Sequence, residues 1–112
     1  MLIYYKGKRR EISVRKLGFI GKARGLMFKS KETHNLLFEF KKDTRKELHS
    51  FFVFYPFLVL WLDKNNKIVD FKIARPFKMR ISPEKSYRKF IELPLNNKNM
   101  LLIKLIVGNE KI

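Results

Sequence analysis

The chain contains no cysteine and only two histidines among its 112 residues. The lack of cysteine excludes disulfide bonds and thiolate metal sites, and it fits a reducing compartment. His34 and His49 lie fifteen positions apart, a spacing that matches no zinc-ligand pattern. Asp43, Asp63 and Asp70 are dispersed, whereas calcium and magnesium sites need grouped oxygen ligands. We therefore expect no metal and no other cofactor.

The sequence also lacks an apolar run that could span a membrane. Its longest run, FFVFYPFLVLWL at residues 51–62, has twelve residues, whereas a membrane-spanning helix needs about 20. Pro56 interrupts this run and favours two strands with a corner between them. The stretch MLIYYKGKRREISV at the start has neither the apolar length nor the cleavage site of a signal peptide. These features favour a soluble, cytoplasmic protein without a membrane span.

Acidic residues are scarce, and the formal net charge is +16, from 26 Lys and Arg against 10 Asp and Glu. Residues 1–31 carry ten basic residues and one acidic residue, residues 32–63 carry four and five, and residues 64–112 carry twelve and four. Positive charge is therefore concentrated toward both ends of the chain. Net charge bears on solubility and non-specific association, so this pattern fits a solvated lysine-rich surface as well as a functional one.

Apart from its charge, the composition is that of a folding chain, with 46% hydrophobic residues and eleven phenylalanines. A chain of this length builds one core, so we expect a single domain over residues 1–112. Short apolar segments between turn signals predict seven or eight strands and one edge-type segment at 77–81. The predicted strands are residues 2–5, 12–15, 36–40, 51–55, 57–62, 68–74, 89–93 and 101–107. A surface connection is expected at 41–48 and a hairpin turn at 63–67.

This pattern predicts a mainly β fold, a compact jelly-roll-like sandwich or small barrel with one short helix. The helix is expected within residues 16–28, where apolar residues recur at helical spacing although three glycines weaken it. The glycines lie among basic residues, but GFIGKARG has neither the GxGxxG nor the Walker spacing. We interpret this segment as a turn and helix, and not as a phosphate-binding loop.

A set of short motifs follows in order between about residues 12 and 110. The motifs are RGLM at 24–27, LLFEF at 36–40, HSFFV at 49–53, YP at 55–56, LWLD at 60–63, KIV at 67–69, ARP at 74–76 and FIELP at 90–94. This ordered set resembles an archaeal-type member of the family called domain of unknown function 192, or uncharacterised protein family 0127. The resemblance implies a compact β-sandwich of jelly-roll type with a short helix, and it implies no established activity.

Three positions depart from that family's pattern. Leu58 stands where the family places an aspartate soon after the proline, and Val53 replaces a methionine. Gly108-Asn109 stands where the family has Gly-Asp. If an activity of the family depends on those acids, these departures make it less expected in this chain.

A catalytic role has one local basis in the sequence, the nearby residues Glu47, His49 and Ser50. Acid–base catalysis needs a positioned group with a tuned pKa and a partner that orients it. A trio so close in sequence is more often a solvated polar cluster at the start of a strand. We therefore lean toward a protein that is not an enzyme, with His49 as the best single residue for a site because archaeal relatives of the family often carry histidine there.

The basic residues favour a non-catalytic binding module for an anionic partner such as nucleic acid. Such binding needs cations on one face to neutralise phosphates, often with exposed aromatic rings on which bases stack. The residues predicted to form this surface are Arg9, Arg10, Arg15, Arg24, Arg75, Lys78 and Arg80. The sequence contains no motif of a known DNA- or RNA-reading module, so the class of partner stays open at this point.

The alternative is a small-ligand or carbohydrate-binding module, because sandwich folds often present a cleft for such ligands. His49, Tyr55 and Trp61 are predicted to line this cleft. A sugar site needs an accessible aromatic ring, so burial of Trp61 would remove the main support for this alternative. A structural or protein-interaction role is neither favoured nor excluded by the sequence.

Overall fold

The computed structural model describes residues 1–17, 26, 29–50 and 52–108. In these residues the elements are β1 Leu2–Tyr5, β2 Lys8–Glu11, β3 Arg15–Lys16, β4 Leu36–Thr44, β5 Phe57–Leu62, β6 Ile68–Ala74, β7 Tyr87–Pro94 and α1 Met100–Val107. One sheet pairs β1 with β2, and the other has the strand order β3-β4-β7-β5-β6. β3 runs parallel to β4, and the other paired strands are antiparallel.

β5 lies inside the larger sheet and all six of its residues are buried. Phe57, Val59 and Trp61 belong to one core cluster, while the three leucines of the strand belong to a second cluster on the other side. Successive side chains of a strand point to opposite faces, so a continuous apolar run requires that both faces be covered. The predicted central strand at 57–62 is confirmed.

The two faces of the larger sheet are covered by different parts of the chain. On the first face, which carries Trp61, the irregular segments 48–55 and 75–83 pack over the sheet together with Leu26. On the second face the β1–β2 hairpin and α1 supply the covering apolar side chains. These two names, first face and second face, are used below.

The C-terminal apolar segment is a helix, so the prediction of a strand at 101–107 was wrong. A continuous apolar run such as MLLIKLIV carries no period-2 signal, and strand and helix cannot be separated by pattern alone. Ile103, Ile106 and Val107 share one helical face and are buried on the second face. Asn99 ties the start of the helix to the end of β7, because its Nδ2 donates to the Pro94 carbonyl at 2.8 Å.

The N-terminal hairpin is confirmed, but its second strand is β2 and not residues 12–15. Tyr5 pairs with Lys8, which leaves Lys6 and Gly7 as a two-residue turn. Their φ angles of 49° and 76° are both positive, as a type I′ turn requires. Because only one side of this hairpin packs on the core, β2 does not need the apolar sequence by which strands are usually recognised.

The turn between β5 and β6 is confirmed at residues 63–67. Asp63 Oδ1 accepts hydrogen bonds from the backbone N–H groups of Asn65 at 2.8 Å and Lys67 at 2.9 Å. Asn66 adopts a positive φ of 66°, which asparagine tolerates better than most residues. Side-chain acceptors and left-handed backbone therefore set this turn, as the sequence predicted.

Two further predictions about strands were wrong. Residues 52–55 form no strand, because Ser50 holds this segment in an irregular path described below. Residues 77–81 form a loop with a single bridge at Ile81. Residues 41–44 belong to the end of β4, although the sequence predicted a connection there.

The predicted fold class is confirmed: the protein is mainly β, sandwich-like, with one short helix among the described residues, and its sheets do not close into a barrel. The helix and glycine turn predicted within residues 16–28 fall largely on positions 18–25 and 27–28, which lie outside the described residues. Within the described part of the chain, no helix combines the length and apolar character needed to span a bilayer.

Candidate polyanion interface

Two irregular segments meet on the first face, residues 48–50 and 52–55 after β4 and residues 75–81 after β6. Leu48 and Ile81 form an antiparallel bridge, in which each backbone N–H donates to the other residue's carbonyl at 3.0 and 2.8 Å. Val53 and Tyr55 from the first segment and Ile81 from the second pack into the core beneath. Both segments are therefore anchored on the sheet.

Ser50 is the main polar link between these segments and is completely buried. Its Oγ donates to the Arg75 carbonyl at 2.6 Å and accepts from the Lys78 N–H at 2.6 Å. Its backbone N–H donates to the Lys78 carbonyl, and its carbonyl accepts from Phe77, both at 2.9 Å. Because the hydroxyl is buried and bonded to backbone groups, Ser50 serves as an anchor rather than as an accessible nucleophile.

Three phenylalanine side chains project from the anchored segments into solvent. Phe52, Phe54 and Phe77 are 46, 63 and 48% exposed, and we call them the aromatic patch. Phe77 lies between the other two, with ring centroids 6.2 Å from Phe52 and 5.3 Å from Phe54 and interplanar angles of 72° in both pairs. These edge contacts hold the rings together and leave large parts of their surfaces accessible.

The backbone beneath the aromatic patch is strained at two positions. Phe52 has φ of 58° and Phe77 has φ of 59°, a left-handed conformation that is uncommon for large side chains. Each such residue costs about 1–3 kcal/mol and persists only where the surrounding structure enforces it. Here the hydrogen bonds of Ser50 and the Leu48–Ile81 bridge enforce it, and strain of this kind is concentrated at functional sites.

Three of the predicted cations lie within three residues of Phe77 in the chain. Arg75, Lys78 and Arg80 are all exposed, and they belong to the same segment as Phe77. Arg80 Nε lies 3.8 Å from Glu47 Oε1, a solvent-exposed ion pair of the kind that contributes little. Met79, 75% exposed, extends the apolar surface between Lys78 and Arg80. Exposed cations and accessible aromatic rings therefore occur in the same short segment of the chain.

The other predicted cations lie elsewhere. Arg9 and Arg10 belong to the β1–β2 hairpin on the second face. Arg15 lies on β3, at the opposite edge of the five-stranded sheet from β6, and four strand spacings amount to about 19 Å. Arg24 lies outside the described residues. The seven predicted residues therefore include one compact group, at 75–80, and others that the fold separates from it.

The predicted ligand cleft is not formed by its three residues. Trp61 is completely buried and Tyr55 is 8% exposed, whereas His49 is on the surface. Trp61 cannot offer a ring to a sugar, because it lies in the core cluster of the first face. The carbohydrate alternative loses the support that an exposed Trp61 would have given it.

A buried polar cluster lies beneath the aromatic patch, around Glu92 of β7, which is 5% exposed. Burial raises the pKa of Glu92 to about 8, although a hydrogen bond from the backbone of Leu26 partly offsets this effect. Burial and the nearby Glu92 raise the pKa of Tyr55 to about 12. Glu92 Oε1, Tyr55 Oη and Trp61 Nε1 have no hydrogen-bond partner among the described residues. Parts of the RGLM, YP and FIELP motifs therefore meet at Glu92.

Sequence reasoning missed the aromatic patch itself. Phe52 and Phe54 stand in a run in which every residue is apolar, so no polar position marked which side chains face solvent. The sequence predicted a central strand here, covered on both sides, whereas in the structure Val53 and Tyr55 are buried and Phe52 and Phe54 are exposed. Phe77 has a left-handed backbone and is 48% exposed, in a segment that the sequence predicted only as an edge strand.

Comparison with known proteins assigns this chain to a family. A family model for domain of unknown function 192, described as "Uncharacterized ACR", matches residues 9–105. Proteins named UPF0127 from Thermococcus gammatolerans and Thermococcus kodakarensis are 38% and 34% identical over 79 residues, which is 69% of this chain. The matched part is 51% and 50% of those proteins, so the chain spans about half the length of the curated relatives it matches.

Two solved structures share the fold. One is a candidate transcription regulator from Sinorhizobium meliloti, with a TM-score of 0.73 and 19% identity over 90% of this chain and 81% of that one. The other is a protein of unknown function from Novosphingobium aromaticivorans, with a TM-score of 0.72 and 11% identity over 90% of this chain and 74% of that one. At these identities the likeness shows the fold alone. On the family match and the Thermococcus relatives, this chain belongs to the uncharacterised DUF192 (UPF0127) family.

Proposed function

We propose that this chain is a binding module for single-stranded nucleic acid, held by the aromatic patch and by Arg75, Lys78 and Arg80. The observation that carries the proposal is the combination of three exposed phenylalanine rings with three exposed cations that lie within three residues of Phe77 in the chain. Proteins that bind single strands without a sequence code combine these same two elements, since rings stack on bases and cations contact phosphates.

The geometry favours single strands over duplexes. In a duplex the faces of the bases are covered by neighbouring base pairs, so an aromatic side chain reaches them only by unstacking the helix. A single strand can turn its bases toward the rings at lower cost. Lys78 directly follows Phe77 in the chain, and Phe77 contacts Phe54, so a base on a ring and a phosphate on a cation are compatible with one strand crossing the patch.

The backbone strain supports the same proposal. Two phenylalanines in left-handed conformation point outward from segments that Ser50 clamps together. Exposing large apolar rings gives up the free energy that burying them would provide, roughly 1.5–3 kcal/mol for each fully buried side chain. A partner that covers these rings recovers part of that free energy on binding. The Sinorhizobium meliloti structure, a candidate transcription regulator, is in accord with nucleic-acid binding but shows only the fold.

The test is fluorescence anisotropy with labelled oligothymidylate and oligouridylate, compared with a duplex of the same length. We expect tighter binding of the single strands, weakened by added salt. Phe54→Ala should weaken binding about 5- to 150-fold, the effect of losing one stacked base. Arg75→Gln combined with Lys78→Gln should lower the slope of log K against log salt by about 1.4, because single strands contribute about 0.7 per phosphate contact.

A matched control separates the patch from general hydrophobicity. Leu101 is 76% exposed on α1, on the second face, so Leu101→Ala removes a comparably accessible apolar side chain elsewhere. It should leave the affinity unchanged. Absence of binding even at low salt, or equal effects of Phe54→Ala and Leu101→Ala, would show that the proposal is wrong.

A further inference from the structure

A second basic surface lies on the second face, where the β1–β2 hairpin meets α1. A pocket of about 180 Å³ opens between these two elements. Its lining consists of three cationic and four apolar side chains, which are Lys6, Lys8, Arg10, Ile3, Tyr5, Leu105 and Ile106. The described residues that line the pocket include no carboxylate.

The hairpin register explains why its cations gather at this pocket. Lys8 is paired with Tyr5 and Arg10 is paired with Ile3. Directly opposed residues of an antiparallel pair share one side of the sheet, so both cations lie on the side that carries the buried Ile3. Lys6, in the turn, places its Nζ 5.3 Å from the centre of the Tyr5 ring. Three positive charges therefore surround an apolar floor.

The helix continues this surface with exposed leucines. Leu101 is 76% exposed and Leu105 is 50% exposed, and residues four apart lie on the same helical face. Leu105 also lines the pocket, so the leucines are contiguous with the hairpin cations. Lys104 adds an exposed positive charge between them. A helix that is apolar on nearly all sides is normally buried on all sides. In α1 the buried side is the inner one, which carries Ile103 and Ile106.

We propose that this hairpin–helix surface docks on an anionic lipid bilayer. The pocket is smaller than the roughly 300–1,000 Å³ of pockets that enclose whole drug-sized ligands, so it suits a lipid phosphate headgroup rather than an entire lipid. Leu101 and Leu105 enter the boundary between headgroups and acyl chains, as leucines of interfacial helices do. Lys6, Lys8 and Arg10 face the negative surface of the membrane.

The chemistry of this surface differs from that of the aromatic patch. Its exposed apolar side chains are aliphatic and offer no ring for a base, and Tyr5 makes an edge contact with Phe71 at 6.1 Å. The free energy of binding is most favourable when aliphatic side chains insert among acyl chains and when cations contact phosphates. A bilayer with anionic headgroups supplies both acyl chains and phosphates, whereas a nucleic acid supplies phosphates without acyl chains.

The test is sedimentation with vesicles of phosphatidylcholine alone and of phosphatidylcholine mixed with phosphatidylglycerol. We expect the protein to partition only into the mixed vesicles and to be released by salt. Lys8→Gln should lower the partition coefficient about five-fold, and Lys8→Gln with Arg10→Gln about 25-fold. Leu101→Ser with Leu105→Ser should lower it about ten-fold or more, because the leucines no longer insert. Circular dichroism checks that each variant is folded.

Variants of the first face serve as matched controls. Phe54→Ser and Lys78→Gln remove an exposed apolar side chain and a cation from the aromatic patch, and both should leave the partition coefficient unchanged. Equal binding to both kinds of vesicle, no binding at low salt, or loss of binding through the first-face variants would overturn the proposal. Binding of polyglutamate in place of vesicles, lost with Lys8→Gln and Arg10→Gln, would overturn it in favour of an acidic protein partner.

Discussion

Glu92 is a carboxylic acid inside an apolar core, opposite Leu36 on one neighbouring strand and Val59 on the other. Burial penalises its charged form, and with a pKa of about 8 most of it is protonated at neutral pH. Because its pKa is raised in the folded state, Glu92 makes the free energy of unfolding depend on pH.

The sign of that dependence follows from the direction of the shift. Below the ordinary pKa of 4.5 both the folded and the unfolded chain carry the proton, so Glu92 imposes no penalty. Between 4.5 and about 8 only the unfolded chain loses the proton, and the free energy of unfolding falls by roughly 1 kcal/mol per pH unit. Glu92→Gln should abolish this part of the slope. Urea denaturation across this pH range checks it, and parallel pH profiles of the two proteins would contradict it.

Ser50 is the residue on which the shape of the aromatic patch depends. Ser50→Ala leaves the Lys78 N–H and the Arg75 carbonyl without their hydroxyl partner in a buried position, which costs about 1–3 kcal/mol for each group. We expect lower stability and weaker binding of single strands together. Urea denaturation and anisotropy measure the two effects, with exposed Ser86→Ala as the control. Unchanged stability of Ser50→Ala would show that the two segments are held together by other contacts.

At the scale of elements, the β1–β2 hairpin depends on a two-residue turn. Gly7 has a φ of 76°, and an added Cβ would meet no atom within 4 Å. Gly7→Ala should therefore cost only the left-handed backbone penalty, about 1–2 kcal/mol. Gly7→Asn should cost less, because asparagine adopts positive φ more readily. Thermal unfolding of both variants checks this order, and a larger loss for asparagine would contradict it.

The same turn positions Lys6, Lys8 and Arg10 around their pocket. A longer or differently twisted turn would shift the register, and a shift of one residue would move Lys8 and Arg10 to the opposite side of the hairpin. The element therefore determines which charges share a surface. Strand pairing sets which charges share a surface, and this cannot be deduced from the net charge alone.

At the scale of the whole molecule, two surfaces with cations and exposed apolar side chains lie on opposite faces of one sheet. Arg75, Lys78 and Arg80 accompany phenylalanines on the first face, and the hairpin cations accompany leucines on the second. The net charge of +16 attracts any polyanion weakly. In our proposals, the local arrangement of cations and exposed apolar side chains determines which partner each surface binds.

Whether binding depends on where the cations lie can be tested with two double variants that lose the same amount of positive charge. Lys41 on β4 and Lys64 in the β5–β6 turn are exposed and lie outside the 75–81 segment. Lys41→Gln with Lys64→Gln removes the same charge as Arg75→Gln with Lys78→Gln. We expect the first pair to weaken binding of oligothymidylate much less than the second, by anisotropy at one salt concentration. Equal losses would show that net charge alone drives binding.

Much of this fold was predictable from local chemistry. The apolar run of β5, the Asp63 turn and the family motifs each carry their own signal, because burial on both faces, side-chain acceptors and ordered spacing are properties of the sequence. The sequence by itself also determined that the chain is strongly basic and that Arg75, Lys78 and Arg80 follow one another within six residues.

Only the tertiary structure decided which apolar side chains are exposed. Trp61 and Phe54 are both aromatic residues within one apolar run, yet one is completely buried and the other is 63% exposed. The difference arises because Ser50 bonds across to residues 75–78, a contact between distant parts of the chain. Packing also decided that residues 100–107 form a helix. Their apolar sequence is compatible with a strand or a helix, and as a helix they pack on the second face. Local pattern predicts how a segment alternates, and long-range packing decides which of its sides meets solvent.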